Sequence, residues 1–280
     1  MTHLPFTLLA YFFNALSVTA DKFLLNKAIP DPLVYIFYIS LFSLLALFAL
    51  PYTLIPTPYT LFLASVSTLL WTMGAYFMFR ALKIGQVSRV IPVIGTLIPL
   101  LLLCLAFQSI TNNQLWAVLI LILGMIVLTA ADWQGRLTKK ELVNELLSAI
   151  SFTLAYTLLR QTYISSNFLS IIVWSRVILI PFVALLGFFL KKKSLSGSIN
   201  TNLLSKPGLI LIGGQIAGVL SEFLLLFSIS LANPALVNSL QGTQYVFLFI
   251  LSREKYSSLI LVSKFLGIGL IAWGLYLLAF

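Results

Sequence analysis

One acidic side chain in this 280-residue sequence differs from the others by its position. Six of the seven carboxylates lie in polar connections or beside them, namely Asp21, Asp31, Asp132, Glu141, Glu145 and Glu254. The seventh, Glu222, lies in the middle of a long apolar segment. A charged side chain at the centre of a bilayer costs roughly 2.5–3.5 kcal/mol on insertion scales. Glu222 should therefore face a wet cavity or a charged partner.

Three roles for Glu222 are open at this stage. A desolvated carboxylate can couple to protons or cations, or it can contact a polar substrate. It can also form a buried ion pair with Arg176, which lies in the preceding apolar segment. Both residues lie about eight or nine positions from the same end of their segments, so at about 1.5 Å per residue they lie at similar depth. Lys264 lies nearer the opposite end and fits this pairing less well.

In each of two groups of neutral and acidic residues, the spacing places the members on one face of their own helix. They are Asn14, Ser17 and Asp21 in the first apolar segment, and Asn238, Gln241 and Tyr245 in the ninth. Amides and a phenol both donate and accept hydrogen bonds, which suits a zwitterionic or hydroxylated solute. The alternatives are ordinary hydrogen bonding between helices and, for Asp21 and Lys22, extension of the side chain toward the membrane surface.

The third apolar segment contains a similar but less polar group, Trp71, Thr72 and Tyr76, for which helix packing is the alternative. These observations define the candidates for a substrate pathway. The candidates are Asn14, Ser17, Trp71, Tyr76, Glu222, Asn238, Gln241, Gln244 and Tyr245.

Several classes of chemistry are excluded by what the sequence lacks. His3 is the only histidine, so no histidine metal cluster can form, and Cys104 is the only cysteine. There is no glycine-rich phosphate-binding loop ending in Gly-Lys-Ser/Thr, which excludes a self-powered ATPase. No pair of carboxylates lies within the apolar segments, which argues against an intramembrane aspartyl protease. We predict that the chain is not an enzyme and uses no metal or other cofactor.

The elements that position these residues are long and apolar. The chain is 60% hydrophobic and only 9% charged, and a bilayer core of about 30 Å needs roughly 20 apolar residues per helix. Backbone groups at that depth must be satisfied within the segment, which favours helices. We predict an all-α polytopic membrane protein with ten transmembrane helices, over residues 4–27, 31–51, 58–82, 86–107, 113–131, 143–165, 168–190, 207–231, 234–251 and 258–279.

The basic residues are concentrated on one side of the predicted bundle. Fourteen of the seventeen Lys and Arg residues lie in or beside the odd-numbered connections, whereas only Arg160 lies on the opposite side. Short loops rich in Lys and Arg stay in the cytoplasm, which predicts that both termini lie outside. Anionic lipid headgroups are the expected partners of this basic side, rather than nucleic acid.

The two halves of the chain are related by a weak repeat. With a shift of 147 residues, RALKIGQVSRVIPVIGT (80–96) aligns with FSISLANPALVNSLQGT (227–243), matching Val90 to Val237 and Gly95-Thr96 to Gly242-Thr243. We predict one five-helix repeat over 1–131, a connection over 132–142 and a second repeat over 143–280. Because five is odd, the second repeat would be inverted in the membrane, an arrangement typical of secondary transporters.

The second part of each repeat resembles the EamA-type family of the drug/metabolite transporter superfamily. The matching positions are Ala81-Leu82, Gly85, Pro92, Pro99 and Gly124, and then Ser228-Ile229, Gln244-Tyr245, Glu254, Gly267 and Gly269. The first repeat departs from the family pattern with Gln108 or Asn112 in place of a turn glutamate. The resemblance implies a cavity among helices 1, 3, 4, 6, 8 and 9. It also implies cytoplasmic termini, opposite to the charge pattern, so orientation stays open.

These features together predict a function. We expect a secondary transporter, more specifically an exporter, of a small polar metabolite such as an amino acid, in a bacterial or archaeal cell membrane. The rivals are a lipid-handling protein and a non-transporting scaffold. The pairs Gly214/Gly218 and Ser263/Gly267 allow close helix approach. Such approach can occur within one bundle or between two copies, so a monomer and a homodimer are both open.

Overall fold

The computed structural model describes residues 2–106, 110–133, 137–192, 205–251 and 257–279. Over these residues the chain is helical and contains no strand. Helices α1 to α12 span Leu4–Lys27, Pro32–Ser43, Pro58–Ile84, Val87–Ala106, Asn112–Ala130, Lys139–Ser165, Phe168–Ser175, Leu179–Lys192, Lys206–Leu231, Pro234–Ser239, Gly242–Leu251 and Ser258–Ala279.

Within the described residues, nine continuous helical stretches are long and apolar enough to cross a membrane. The second stretch continues from α2 into a 3₁₀ helix over Leu44–Tyr52, and the seventh joins α7 to α8 through a 3₁₀ turn over Arg176–Ile178. The predicted span over 234–251 is instead divided into α10 and α11. The chain is thus an all-α, multi-pass membrane protein.

Polar residues and proline define where the helices begin. Thr57, Asp31 and Asn233 each accept a hydrogen bond from the first turn of the following helix, and each is followed by proline. Thr111 forms a reciprocal capping box with Gln114. These side chains satisfy backbone N–H groups that have no partner within the helix, and proline removes one of them.

Helix α6 begins four residues earlier than the sequence predicts. The Thr138 hydroxyl accepts a hydrogen bond from the Glu141 backbone N–H at 3.2 Å, so the polar run from 139 onward continues the helix. As a result Glu141 and Glu145 are buried in α6. The predicted location of Glu141 in the 132–142 connection is wrong, because helix capping and packing outweigh the local polarity of the sequence.

The most extensive helix contacts join the two parts of the chain. They are α3 with α6, α1 with α9, and α5 with α12. Small residues permit close approach in the last two pairs: a Cβ on Gly214 would lie 2.7 Å from Ala20, and one on Gly267 would lie 2.6 Å from the Leu128 backbone nitrogen. These glycines therefore serve packing within the bundle.

Candidate functional site

A cavity of about 150 Å³ lies among α1, α2, α3, α4, α6, α9, α10 and the connection between α10 and α11. Room for one water corresponds to about 10–15 Å³ on this measure, so the cavity can hold a small solute. Its polar wall comprises Asn14, Ser17, Asp21, Ser43, Gln215, Ser221, Glu222, Asn238 and Gln241. Its aromatic wall comprises Tyr11, Trp71, Phe79, Phe152 and Tyr156.

Six of the nine pathway candidates line this cavity. They are Asn14, Ser17, Trp71, Glu222, Asn238 and Gln241. They come from α1, α3, α9 and α10 and from the α10–α11 connection, and the tertiary structure brings them together.

The other three candidates, Tyr76, Gln244 and Tyr245, do not line it. The break after Ser239 changes the phase of the ninth span, so the start of α11 does not continue the face that carries Asn238 and Gln241. Gln244 is fully buried, and neither atom of its amide has a hydrogen-bond partner among the described residues. Tyr76 lies outside the cavity face of α3, and its ring lies under the Arg80 guanidinium at 5.6 Å.

The structure brings Arg176 and Glu222 together. Arg176 Nη2 donates to Glu222 Oε1 at 2.8 Å. Arg176 opens the 3₁₀ turn between α7 and α8 and lines a smaller cavity beside the main one, and Glu222 lines both. The ion pair explains how a carboxylate is accommodated at this depth, because an unpaired buried charge is strongly unfavourable.

Asp21 is a second carboxylate in the cavity wall. The sequence leaves it the option of extending toward the membrane surface, but its residue is only 5% exposed. The Tyr35 hydroxyl donates to Asp21 Oδ1 at 2.5 Å, and Asp21 lines the cavity together with Gln215. The sequence signal was the spacing of Asp21 with Asn14 and Ser17, which places all three on the cavity side of α1.

Lys22 also turns inward, to a different partner. Its Nζ donates to the carbonyl oxygens of Leu82 and Gly85, at 2.6 and 2.8 Å. These carbonyls belong to the C-terminal end of α3, where the backbone oxygens have no partner within the helix and the helix dipole favours a cation. Lys22 therefore ties α1 to the end of α3.

Arg160 makes the equivalent contact elsewhere in the bundle. Its Nη1 donates to the carbonyl oxygens of Ile229 and Ser230, at 2.9 and 2.5 Å. These carbonyls lie at the C-terminal end of α9. Arg160 thus ties α6 to the end of α9, as Lys22 ties α1 to the end of α3.

Two further ion pairs lie in helices or beside them. Arg89 Nη2 contacts both oxygens of Glu141, at 2.8 and 2.9 Å, and Lys264 Nζ contacts Asp132 Oδ2 at 2.6 Å. Glu145 lies one turn beyond Glu141, and neither of its carboxylate oxygens has a hydrogen-bond partner in the described part of the chain. Sequence position alone did not indicate the burial of Arg89, Glu141, Glu145 and Lys264.

Solved structures include a protein of the same fold. A protein known from its crystal structure matches this chain with a TM-score of 0.64 over 97% of both chains, at 14% sequence identity. At that identity the match establishes a shared fold and nothing about activity. No protein-family model and no curated protein matches the sequence. Fold and cavity together define the class: a multi-pass α-helical membrane protein with a polar chamber inside the bundle.

Proposed function

We propose that this protein is a secondary transporter that exports a small polar metabolite, such as an amino acid or a related compound, by alternating access. The observation that carries the proposal is the central cavity. It is lined by amides, hydroxyls and two carboxylates from helices of both parts of the chain. A polar chamber at the interface of two bundles is the arrangement in which secondary transporters hold their solutes.

Alternating access also requires two halves that can rearrange, and helix pairing supports two inverted repeats over 1–131 and 143–280. If the first span corresponds to the sixth and the third to the eighth, the pair α1–α9 is the counterpart of α6–α3. Both are among the most extensive contacts in the structure. Helices α5 and α12 are the last helices of the two proposed repeats, so exchanging the repeats leaves the α5–α12 pair unchanged.

The two basic caps support the same relation. Lys22 in α1 binds the C-terminal carbonyls of α3, and Arg160 in α6 binds those of α9. In each proposed repeat, a cation from the first helix thus holds the end of the third. From the end of α3 to the end of α9 the chain crosses the membrane five times, and this odd number would place the two caps at opposite membrane surfaces. These features agree with the EamA-type resemblance, and we propose that family and a bacterial or archaeal cell membrane.

The test compares metabolites inside and outside cells that express the wild type, Gln241→Ala, Gln86→Ala or no protein. Gln241 lines the cavity, whereas Gln86 is exposed at the start of α4 and provides a matched control. We expect the wild type and Gln86→Ala to redistribute the same compound class, and Gln241→Ala to reduce that redistribution severalfold at equal membrane abundance. Unchanged pools with the well-folded wild type would contradict transport and favour a scaffold.

A further inference from the structure

The charges of the cavity wall do not cancel. Glu222 is neutralised by Arg176, at 2.8 Å. Asp21 accepts a hydrogen bond from the neutral Tyr35 hydroxyl. Lys22, its neighbour in sequence, is directed to the carbonyl oxygens of Leu82 and Gly85 instead. Among the described residues, no Lys, Arg or His lines the cavity. The ionised wall therefore carries one uncompensated negative charge.

A buried charge without a counter-charge is unfavourable, because a low-dielectric interior stabilises it far less than water does. A solute that brings a positive group into the cavity would supply that counter-charge. A solute whose only charged group is negative would add a second unpaired charge of the same sign. The electrostatics of the wall thus favour cations over anions.

The backbone at the helix break does not offset this preference. The N–H groups of Leu240, Gln241, Thr243 and Gln244 donate to carbonyl oxygens within the same segment, at 2.9–3.3 Å. They are therefore not available as a cradle for an anionic group, although the break itself borders the cavity through Gln241.

The aromatic wall favours the same class of solute. Trp71 packs edge-to-face on Phe152 with ring centroids 5.8 Å apart, and Phe152 stacks on Tyr156 at 6.1 Å. All three residues line the cavity. Aromatic faces attract ammonium and guanidinium groups through their quadrupole, most strongly where water is excluded.

We infer that the cavity selects solutes that carry an ammonium or guanidinium group, with Asp21 as the counter-ion. This inference rests on the proposed transport function and narrows its substrate class. Asp21 supplies the charge, Tyr35 fixes one oxygen of the carboxylate, and the aromatic wall encloses the solute. The arrangement assigns Asp21 and Glu222 different tasks, because only Glu222 has an arginine partner.

The test measures binding of three probes of similar size and different charge to the purified full chain: n-butylammonium, n-butanol and butyrate. We expect the wild type to bind butylammonium at least about tenfold more tightly than either other probe. Asp21→Asn should lose that preference, whereas Asp21→Glu, which keeps the charge, should retain much of it. Size-exclusion profiles and thermal unfolding establish that each variant is folded.

Asp31→Asn is the matched control. It removes the same charge outside the cavity, and asparagine caps a helix as well as aspartate does. Its binding of butylammonium should equal that of the wild type. Equal binding of butylammonium by the wild type and by Asp21→Asn would overturn the inference, as would tighter binding of butanol or butyrate by the wild type.

Failure of this inference can be distinguished from failure of the proposed function. Metabolite redistribution by the wild type reports transport whatever the charge of the solute. If it reveals a solute without an ammonium or guanidinium group, transport stands and the cation site is overturned. If no solute is redistributed, the transport proposal fails even where butylammonium binds.

Discussion

At the scale of single residues, the buried and half-buried charges of this protein are stabilised in different ways. Glu222 has an arginine partner at 2.8 Å. Lys22 and Arg160 instead bind carbonyl oxygens at helix ends. Among the described residues Asp21 has only a phenolic hydroxyl as its partner, which leaves its charge free to act on whatever occupies the cavity.

Replacing either member of the Arg176–Glu222 pair should destabilise the fold. Glu222→Met and Arg176→Met each leave the other charge buried and unpaired, and we expect each to lower the free energy of unfolding by about 3–5 kcal/mol. The double variant should regain most of that loss, because both charges are then gone. Thermal unfolding of the wild type, the two single variants and the double variant measures these stabilities. Additive losses in the double variant would show that the two residues are not coupled.

At the scale of elements, irregular backbone lies beside the cavity. The 3₁₀ turn at Arg176–Ile178 and the break at Leu240–Gln241 both lie within apolar spans. Arg176 and Gln241 are buried, and each lines a cavity. Non-helical backbone within a membrane is tolerated in such places because its polar groups do not face lipid. Arg176 binds Glu222 from the first of these interruptions, and Gln241 lines the cavity at the second.

Helix α12 offers a direct test of close packing. A Cβ on Gly267 would lie 2.6–2.7 Å from the Leu128 backbone, whereas a Cβ on Gly269 would meet nothing within 4 Å. Gly267→Ala should therefore lower the free energy of unfolding by about 1–3 kcal/mol through overpacking. Gly269→Ala, two residues away, should be neutral or more stable by up to about 1 kcal/mol, owing to helix propensity. Thermal unfolding measures the midpoint of each variant. Equal shifts in the two midpoints would contradict the predicted difference between Gly267 and Gly269.

At the scale of the whole molecule, the charge pattern predicts the orientation in the membrane. Asn26, on the basic side, and Asn113, on the opposite side, are both exposed. In a Cys104→Ser background, Asn113→Cys should react with a membrane-impermeant maleimide in intact cells, and Asn26→Cys only after lysis. Mass spectrometry or a gel shift measures the labelled fraction. The reverse pattern would place the termini inside, as the EamA-type resemblance implies.

Local features of the sequence determined the membrane class and most helix boundaries. Apolar length requires helices in a bilayer, and residue pairs such as Asp31-Pro32 and Thr57-Pro58 cap helices using only nearby atoms. The sequence also predicted the similar depth of Arg176 and Glu222 in the membrane, because the rise per residue of a helix converts sequence position into depth.

Only the tertiary structure decided which polar residues share the cavity. Asp21 faces inward because α9 packs against α1, and Gln244 leaves the cavity face because the ninth span breaks after Ser239. Glu141 is buried because Arg89, distant in sequence, reaches it. Each outcome depends on contacts between helices far apart in the chain, and a residue's own neighbours in sequence do not encode the azimuth of a helix within a bundle.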